Sequence, residues 1–154
     1  MIFVSFGNSP LPFVRLAAAM DDYARTFGEE VVVQSGHTHY EYKFCKKVVS
    51  FMDKESFFQL LMSCSVVVLQ GGWGSISEAS GLGVRIVAFP RRNGEECHHD
   101  QSQLVRELEE QGICLGCYDE SDLPQLIEKA KSYDFKPIKR GSAEKVINDF
   151  LDSF

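Results

Sequence analysis

The segment between residues 66 and 78 has the residue types and spacing of an anion-binding turn. The apolar, β-branched run Val66–Leu69 predicts a buried parallel strand, and Gly71, Gly72 and Gly74 follow it. Glycine backbone can turn tightly and lets a ligand approach closely. A helix beginning near Ser75 would point its unpaired N–H groups and the positive end of its dipole into this turn. We therefore predict that the turn holds the diphosphate of a nucleotide-linked substrate.

The pair Ser75 and Glu78 has two interpretations, which do not exclude each other. The pattern S-x-x-E is a capping box, in which each side chain satisfies a free amide at a helix start. The same spacing places both side chains on one side of a helix, where the hydroxyl could contact a phosphate and the carboxylate the ribose hydroxyls. Neither G-x-G-x-x-G nor G-x-x-x-x-G-K-[ST] is present, so the glycines alone leave phosphate binding and a plain turn about equally favoured.

Composition limits the classes of protein that fit. The chain has 154 residues, of which 44% are hydrophobic, and this predicts one globular domain over residues 1–154. A net charge of −6 argues against a nucleic-acid groove, which needs a basic face, but not against a nucleotide bound at a helix terminus. Because we find neither an apolar run of membrane-spanning length nor the basic flank of a signal peptide, we expect a soluble, cytoplasmic protein.

The cysteines have both a structural and a metal-binding interpretation. There are five, an odd number that favours reduced thiols over a disulfide framework. Cys114 and Cys117 form C-x-x-C, and Cys97 lies upstream, so a zinc site is conceivable. Cys114 lies within an apolar stretch typical of a short buried strand, where cysteine is common. We interpret these thiols as structural and expect neither a metal nor a cofactor.

Strand and helix patterns alternate along the chain, which predicts an α/β fold with a Rossmann-like, doubly wound parallel sheet. The predicted strands are 2–6, 30–34, 47–51, 66–69, 85–89 and 113–115. Amphipathic helices are predicted between them, with Asp53 capping the second, and a last helix is predicted over about 141–154. Ligands bind such sheets beyond the carboxyl ends of the strands. The loops Gly7–Pro12, Gly71–Ser75 and Arg91–Asp100 should therefore converge at one edge.

Gln101 is spaced with Leu104, Val105 and Leu108 on the inward stripe of its helix. A polar amide that points inward needs a hydrogen-bond partner. A nearby backbone carbonyl is the ordinary partner. We favour the diphosphate instead, because the first turn of this helix, beginning near His99, should lie against the predicted pocket.

Three stretches taken together resemble a known family. VSFGNSPLPFVRL, SFMDKESFFQLLMSCSVVVLQGGWGSISEASGLGVRIVAFPRRN and HHDQSQLVREL resemble the nucleotide-sugar-binding half of family 28 glycosyltransferases, over about residues 2–112. The resemblance is strongest to small single-domain subunits of two-component transferases. It implies one half of a GT-B architecture and an inverting, metal-independent transfer of a hexose or N-acetylhexosamine. The donor would be a UDP-sugar and the acceptor a saccharide linked to polyprenyl or dolichyl diphosphate.

The resemblance also implies a set of donor-binding positions in this chain. By position, Glu78 would take the ribose hydroxyls, Asp100 and Gln101 would contact the sugar and the diphosphate, and backbone groups of Phe51 and Met52 would recognise uracil. The full set is Gly7, Asn8, Ser9, Phe51, Met52, Gly71, Gly72, Trp73, Gly74, Ser75, Glu78, Arg91, Asp100 and Gln101.

Within that set, the resemblance places Gly72, Gly74 and Ser75 against the phosphates or the sugar, and the loop of residues 7–9 beside the acceptor cleft. Two departures are visible. Relatives commonly have His-Ala-Gly or His-Gly-Gly where this chain has Gln70 followed by two glycines, and a small residue where it has Trp73.

The catalytic groups are not assigned by the sequence. Helix starts could stabilise the departing UDP with help from Arg91 or Arg92, for which solvated surface is the ordinary interpretation. A base could be any of His37, His39, His98 and His99, or it could belong to a partner.

One lobe of a GT-B enzyme cannot by itself exclude water or orient an acceptor. We therefore expect a membrane-anchored partner subunit carrying the acceptor lobe, which would hold this protein at the membrane surface. The predicted last helix has an apolar stripe that either packs on its own sheet or, at its terminal phenylalanines, contacts the partner. The stripe consists of Ala143, Val146, Ile147, Phe150, Leu151 and Phe154. The alternatives to an enzyme subunit are a non-catalytic UDP-sugar-binding regulatory subunit and a nucleotide-sugar epimerase or hydrolase.

Overall fold

The computed structural model describes residues 1–94 and 96–138. Its strands are β1 (Ile2–Ser5), β2 (Val31–Gln34), β3 (Lys47–Val49), β4 (Val66–Gln70), β5 (Ile86–Phe89) and β6 (Leu115–Gly116). Its helices are α1 (Val14–Phe27), α2 (Lys54–Ser63), α3 (Trp73–Gly81), α4 (Ser102–Glu110) and α5 (Leu123–Ala130), and a 3-10 turn at Glu120–Asp122 precedes α5. The predicted helix at about 141–154 lies outside the described residues.

The strands form one parallel sheet in the order β3-β2-β1-β4-β5-β6 among the described residues. Chain order runs outward from β1 to β3 in one direction and from β4 to β6 in the other. The direction reverses between β1 and β4, which are hydrogen-bonded neighbours with Ile2 opposite Val66. This reversal is the switch point at which doubly wound folds bind their ligands. The predicted fold class is therefore confirmed.

Each central strand is buried on both faces, which explains its continuous apolar sequence. Side chains alternate across the sheet, so Val66 and Val68 pack on the side of α1 and α5, while Val67 and Leu69 pack on the side of α2, α3 and α4. The edge strand β3 differs, because all its residues are exposed. The sheet thus separates two apolar layers and leaves the loops at its carboxyl edge to form a site.

Three predicted boundaries are corrected by local hydrogen bonding. Helix α3 begins at Trp73 rather than near Ser75, because the extended backbone of Gly72 serves as its N-cap. The predicted strand at 113–115 is wrong in its first two residues. The Ile113 N–H closes the end of α4 on Leu108 O (3.0 Å), so β6 begins only at Leu115.

The third correction concerns α4, which begins at Ser102 rather than near His99. Gln101 is its N-cap, and just before it Asp100 Oδ1 accepts a hydrogen bond from the Ser102 amide (2.7 Å), as in an Asx turn that leads into a helix. The cap predicted at Asp53 is confirmed, because its Oδ1 accepts a hydrogen bond from the Ser56 amide (2.7 Å). Within the described residues, every helix is too short or too polar to cross a bilayer.

Candidate functional site

A cleft of about 220 Å³ opens at the carboxyl edge of the sheet, beside the reversal between β1 and β4. We call it the switch-point cleft. It is contributed by the ends of β1 and β2, the loop after β1, the segment after β3, the first turn of α2 and one side of α3. Its lining residues are Ser5, Gly7, Asn8, Gln34, Met52, Lys54, Phe57, Ser75 and Glu78. The floor is fixed, because Ser5 Oγ donates a hydrogen bond to Gln34 Oε1 across the sheet (2.8 Å).

Helix α3 presents an uncovered N-terminus beside this cleft. Gly72 is the N-cap and, within the described part of the chain, no side chain accepts a capping hydrogen bond there. The first N–H groups of an α-helix, here from Trp73 onward, have no acceptor inside the helix and carry the positive end of its dipole. Ser75 and Glu78 reach the cleft from the same helix, one turn apart. The arrangement can accept a negatively charged group together with neighbouring hydroxyls.

The capping-box interpretation of Ser75 and Glu78 is wrong. A capping box requires its serine at the N-cap, whereas Ser75 is the third residue inside α3. Glycine is itself tolerated as an N-cap, and here Gly72 takes that position with extended backbone. The helix therefore begins at Trp73, two residues before the serine. Ser75 and Glu78 therefore do not cap this helix.

The glycines of the turn have different surroundings. A β-carbon on Gly71 would lie 2.8 Å from Val105 Cγ2 and 3.0 Å from the Pro90 α-carbon, so this position has no room for a side chain. A β-carbon on Gly74 would meet no described atom within 4 Å. Gly71 thus lets the turn pack against α4 and the residue that follows β5, whereas Gly74 leaves the start of α3 open.

Arg91 is buried, and the surface interpretation of this residue is wrong. Its side chain is 1% exposed and lies 4.5 Å from the centre of the Phe13 ring. Its guanidinium donates hydrogen bonds to the carbonyl oxygens of Phe6 (2.8 Å), Leu11 (3.0 Å) and Glu96 (2.9 Å). Burial lowers the pKa of Arg91, although nearby Glu96 opposes this. Because Phe6 directly precedes the first loop, Leu11 lies in it and Glu96 lies in the third, one side chain joins two of the predicted loops.

The remaining donor of Arg91 reaches the glycine turn through a glutamine network. Arg91 Nε donates to Gln70 Oε1 (3.0 Å), at the last residue of β4. Gln101 Nε2 donates to the same oxygen (3.1 Å), and Gln101 Oε1 accepts from the Arg91 amide (3.0 Å). Both ends of the Gln101 amide are therefore bonded within the protein, to a backbone N–H and a side-chain oxygen. Gln70 was not among the predicted site residues. It could have been found from the sequence as the polar residue that directly follows the apolar run of β4.

Glu96 fixes the third loop to α1. Its two carboxylate oxygens accept hydrogen bonds from Arg15 Nε (2.9 Å) and Nη2 (3.0 Å), and the Arg92 amide donates to Oε2 (2.7 Å). Burial raises the pKa of Glu96, but the hydrogen bonds from Arg15 and Arg92 lower it by a larger amount. The pKa of Glu96 therefore lies below its ordinary value. Arg92 itself is half exposed and pairs with Glu120 (3.5 Å), as expected for a surface residue.

The structure brings some of the predicted donor positions together and separates others. Gly7, Asn8, Met52, Ser75 and Glu78 all line the switch-point cleft. The predicted positions that do not line it are Ser9, Phe51, Gly71, Gly72, Trp73, Gly74, Arg91, Asp100 and Gln101.

Several of the second group have other local contacts. Phe51 is exposed and packs edge-on against His37 (5.0 Å between ring centres). Trp73 packs partly against the core layer of α2, α3 and α4. Ser9 Oγ accepts a hydrogen bond from the Leu11 amide (3.2 Å). Among the described residues that line the cleft there is no histidine, so none of the candidate bases is placed there.

The cysteines are free thiols. Burial raises the pKa of both Cys114 and Cys117 to about 12, so both thiols are protonated at neutral pH. Cys97 is also buried and its Sγ donates to the His99 carbonyl oxygen (2.7 Å). In residues 1–94 and 96–138, no group of three or more His, Cys, Asp or Glu side chains could hold a metal ion.

No protein-family model and no curated protein sequence matches this chain. Solved structures do match. The glycotransferase of kitacinnamycin has a TM-score of 0.61 and 19% identity over 96% of this chain and 37% of its own. The spinosyn forosaminyltransferase SpnP has a TM-score of 0.63 and 16% identity over 99% and 39%. MurG of Acinetobacter baumannii has a TM-score of 0.57 and 15% identity over 99% and 49%.

This chain therefore spans less than half the length of each of these structural neighbours. At these identities the likeness concerns the fold: the neighbours are GT-B glycosyltransferases, and this chain has the fold of one Rossmann-like half.

Proposed function

We propose that the switch-point cleft binds a UDP-sugar and that this chain is the donor-binding lobe of an inverting glycosyltransferase. The observation that carries the proposal is the uncapped N-terminus of α3, which opens beside a cleft lined by Ser75 and Glu78. An N-terminus with free N–H groups binds a diphosphate without needing a basic side chain. This is consistent with the acidic net charge of the chain. The glycosyltransferase neighbours of like fold support the choice of ligand.

In this proposal each part of the ligand has its own contacts. The diphosphate lies against the backbone of Gly72, Gly74 and Ser75. Glu78, exposed on α3, accepts hydrogen bonds from the ribose hydroxyls. The uracil is recognised by backbone groups near Met52, which lines the cleft, and Phe51. The loop of residues 7–9 borders the acceptor, and Trp73, Arg91, Asp100 and Gln101 support the turn and the start of α4.

The finer parts of the proposal concern the acceptor and a partner. We propose transfer of a hexose or N-acetylhexosamine to a lipid-linked saccharide, at the cytoplasmic face of a membrane. A membrane-anchored subunit would supply the acceptor lobe and the catalytic base. A wall opposite the cleft is needed because catalysis requires both substrates to be held in fixed geometry and shielded from water. The start of α3 would stabilise the charge that develops on the departing UDP.

Titration calorimetry with UDP tests the donor site. The wild-type chain should bind UDP and UDP-sugars, and Glu78→Gln should weaken UDP binding by about tenfold, as expected for loss of a charged hydrogen bond. Glu107→Gln is the matched control, because Glu107 is an exposed glutamate on α4, away from the cleft lining. Both variants should melt within about 2 °C of wild type, since neither carboxylate caps a helix or is buried. If Glu78→Gln binds UDP as the control does, the ribose role of Glu78 is wrong.

An activity assay separates the enzyme from its alternatives. Sugar transfer from UDP-sugar to a lipid-linked acceptor should appear only when the membrane subunit is added to this chain. UDP binding without transfer by the combined subunits would identify a regulatory subunit. Release of free sugar, or conversion of the UDP-sugar without an acceptor, would indicate hydrolase or epimerase chemistry.

A further inference from the structure

One hydrogen-bond donor is left over from the network behind the switch-point cleft. Gln70 Oε1 already accepts two hydrogen bonds, from Arg91 Nε and Gln101 Nε2. Gln70 Nε2 donates to no acceptor among the described residues. This nitrogen is also accessible. In the part of the chain that the structure describes, the buried side-chain atoms without a hydrogen-bond partner are Arg15 Nη1 and Tyr42 OH, and Gln70 Nε2 is not among them. The N–H groups of Gln70 are therefore available to a ligand.

Arg91 fixes which end of the Gln70 amide is the free one. A guanidinium has donors only, so the Gln70 atom that faces Arg91 Nε must be the oxygen. The Arg91 backbone N–H likewise requires an oxygen from Gln101, which turns the Gln101 nitrogen toward Gln70. These two hydrogen bonds, both donated by Arg91, exclude the alternative orientation of the Gln70 and Gln101 side-chain amides, in which oxygen and nitrogen are exchanged. The burial of Arg91 beneath two loops holds this arrangement in place.

The free nitrogen lies between the first loop and the start of α3. A β-carbon on Gly7 would come within 2.4 Å of Gln70 Nε2, and one on Gly72 within 2.6 Å. Gly7 lines the switch-point cleft and Gly72 is the N-cap of α3. The Nε2 donor therefore lies beside the unpaired backbone N–H groups of the helix start.

We propose that Arg91 is a positioning residue, which orients Gln70 so that its Nε2 donates a hydrogen bond to an anionic oxygen held at the start of α3. The inference rests on the proposed function, since that oxygen belongs to the ligand's diphosphate. The Gln70 donor is uncharged, and the charged group that orients it, the Arg91 guanidinium, is buried. The site thus gains a directed N–H that does not titrate near neutral pH.

Gln70→Glu tests the donor. A carboxylate keeps an oxygen acceptor for Arg91 Nε and Gln101 Nε2, and it gives Arg91 a counter-ion, so the melting temperature should not fall. Its outward atom becomes an oxygen, which repels phosphate. UDP affinity measured by calorimetry should fall about tenfold to a hundredfold. Uridine, which lacks the diphosphate, should bind both proteins equally.

The outcomes separate this inference from the proposed function. If wild type binds UDP and Gln70→Glu binds it within twofold, the donor role of Gln70 is wrong and the proposed function stands. If wild type does not bind UDP, both are wrong. An equal loss of uridine and UDP affinity would assign Gln70 a general structural role and overturn the inference.

A double-mutant cycle tests the positioning role of Arg91. Arg91→Lys keeps the charge but lacks the planar fork. It should weaken UDP binding in the wild-type background and weaken it little further in the Gln70→Glu background. Independent, additive losses would show that Arg91 does not act through Gln70.

The Gln70 side-chain amide resonance provides a readout that does not need a folded Arg91 variant. It can be assigned in ¹⁵N spectra by its absence in Gln70→Glu, and it should shift when UDP is added to wild type. A resonance that does not move would overturn the inference.

Discussion

Replacing Asp21 with asparagine is expected to destabilise the protein far more than the same change at Asp22. Asp21 lies in α1 and is 5% exposed. Its Oδ1 accepts hydrogen bonds from the amides of Phe44 and Cys45 (2.9 Å each), and its Oδ2 accepts one from the amide of Lys43 (3.0 Å). This one carboxylate therefore fixes the segment that leads directly into β3.

The magnitude follows from the three bonds. Asparagine keeps one oxygen for Phe44 and Cys45 but loses the charge that strengthens those bonds, and it turns an N–H toward the Lys43 amide. Weakening two charged hydrogen bonds and leaving one donor unpaired should cost about 2–4 kcal/mol of unfolding free energy. For a chain of this size that corresponds to a fall in Tm of about 4–16 °C. Asp22→Asn, which removes only an exposed pair with Arg25, should cost about 0.5 kcal/mol or less.

The pH dependence has a definite sign. Burial raises the pKa of Asp21, but the hydrogen bonds from Cys45, Lys43 and Phe44 together lower it by a larger amount. The pKa of Asp21 therefore lies below its ordinary value. The stabilisation is fully present above the unfolded pKa of about 3.9 and is lost as pH falls through the folded pKa. Urea denaturation followed by circular dichroism should give a constant gap between wild type and Asp21→Asn from pH 7 to about pH 5, and a narrowing gap below about pH 4. Equal stabilities of Asp21→Asn and Asp22→Asn at pH 7 would refute this account.

Two further expectations concern the glycine turn and the cysteines. Gly71→Ala should lower stability by about 1–3 kcal/mol because its β-carbon meets Val105 and Pro90, whereas Gly74→Ala, with open space, should be neutral or stabilising by up to about 1 kcal/mol. Equal urea midpoints for the two variants would contradict this difference. Under native conditions, mass spectrometry should find Cys64 alkylated by iodoacetamide before Cys114 and Cys117, because Cys64 is only partly buried and the other two thiols are buried. Burial raises the pKa of all three thiols, and it raises those of Cys114 and Cys117 to about 12. EDTA should leave Tm unchanged, and a fall in Tm would revive a structural metal site at the cysteines.

The fold was predictable because its signals are local and agree with one another. Runs such as Val66–Leu69 are apolar throughout and mostly β-branched, and the helices between the strands carry apolar stripes. The boundaries were less predictable, because they depend on individual hydrogen bonds. Ile113 belongs to an apolar run in the sequence, yet its N–H is used to close α4 on Leu108, and this delays β6 by two residues.

The candidate site was predictable at the glycine turn but not behind it. Gly71, Gly72 and Gly74 after an apolar run indicate a turn that leads into a helix, although the sequence placed the start of that helix two residues too late. The burial of Arg91 does not, because its acceptors include Phe6 O, which lies far from it in sequence and approaches only in the folded sheet. Arginine after a strand ordinarily indicates surface, and only the tertiary arrangement of carbonyl oxygens makes burial of the guanidinium favourable.

The place of β1 in the sheet has a consequence for how the protein folds. It precedes every other described strand, yet it occupies the middle of the sheet, where Ile2 pairs with both Val31 and Val66. Bringing strands together that are distant in sequence lowers the chain entropy before the stabilising contacts form. We therefore expect this topology to fold more slowly than a helical bundle. During synthesis β1 can pair on one side once β2 has emerged, but its other edge remains open until β4 has left the ribosome.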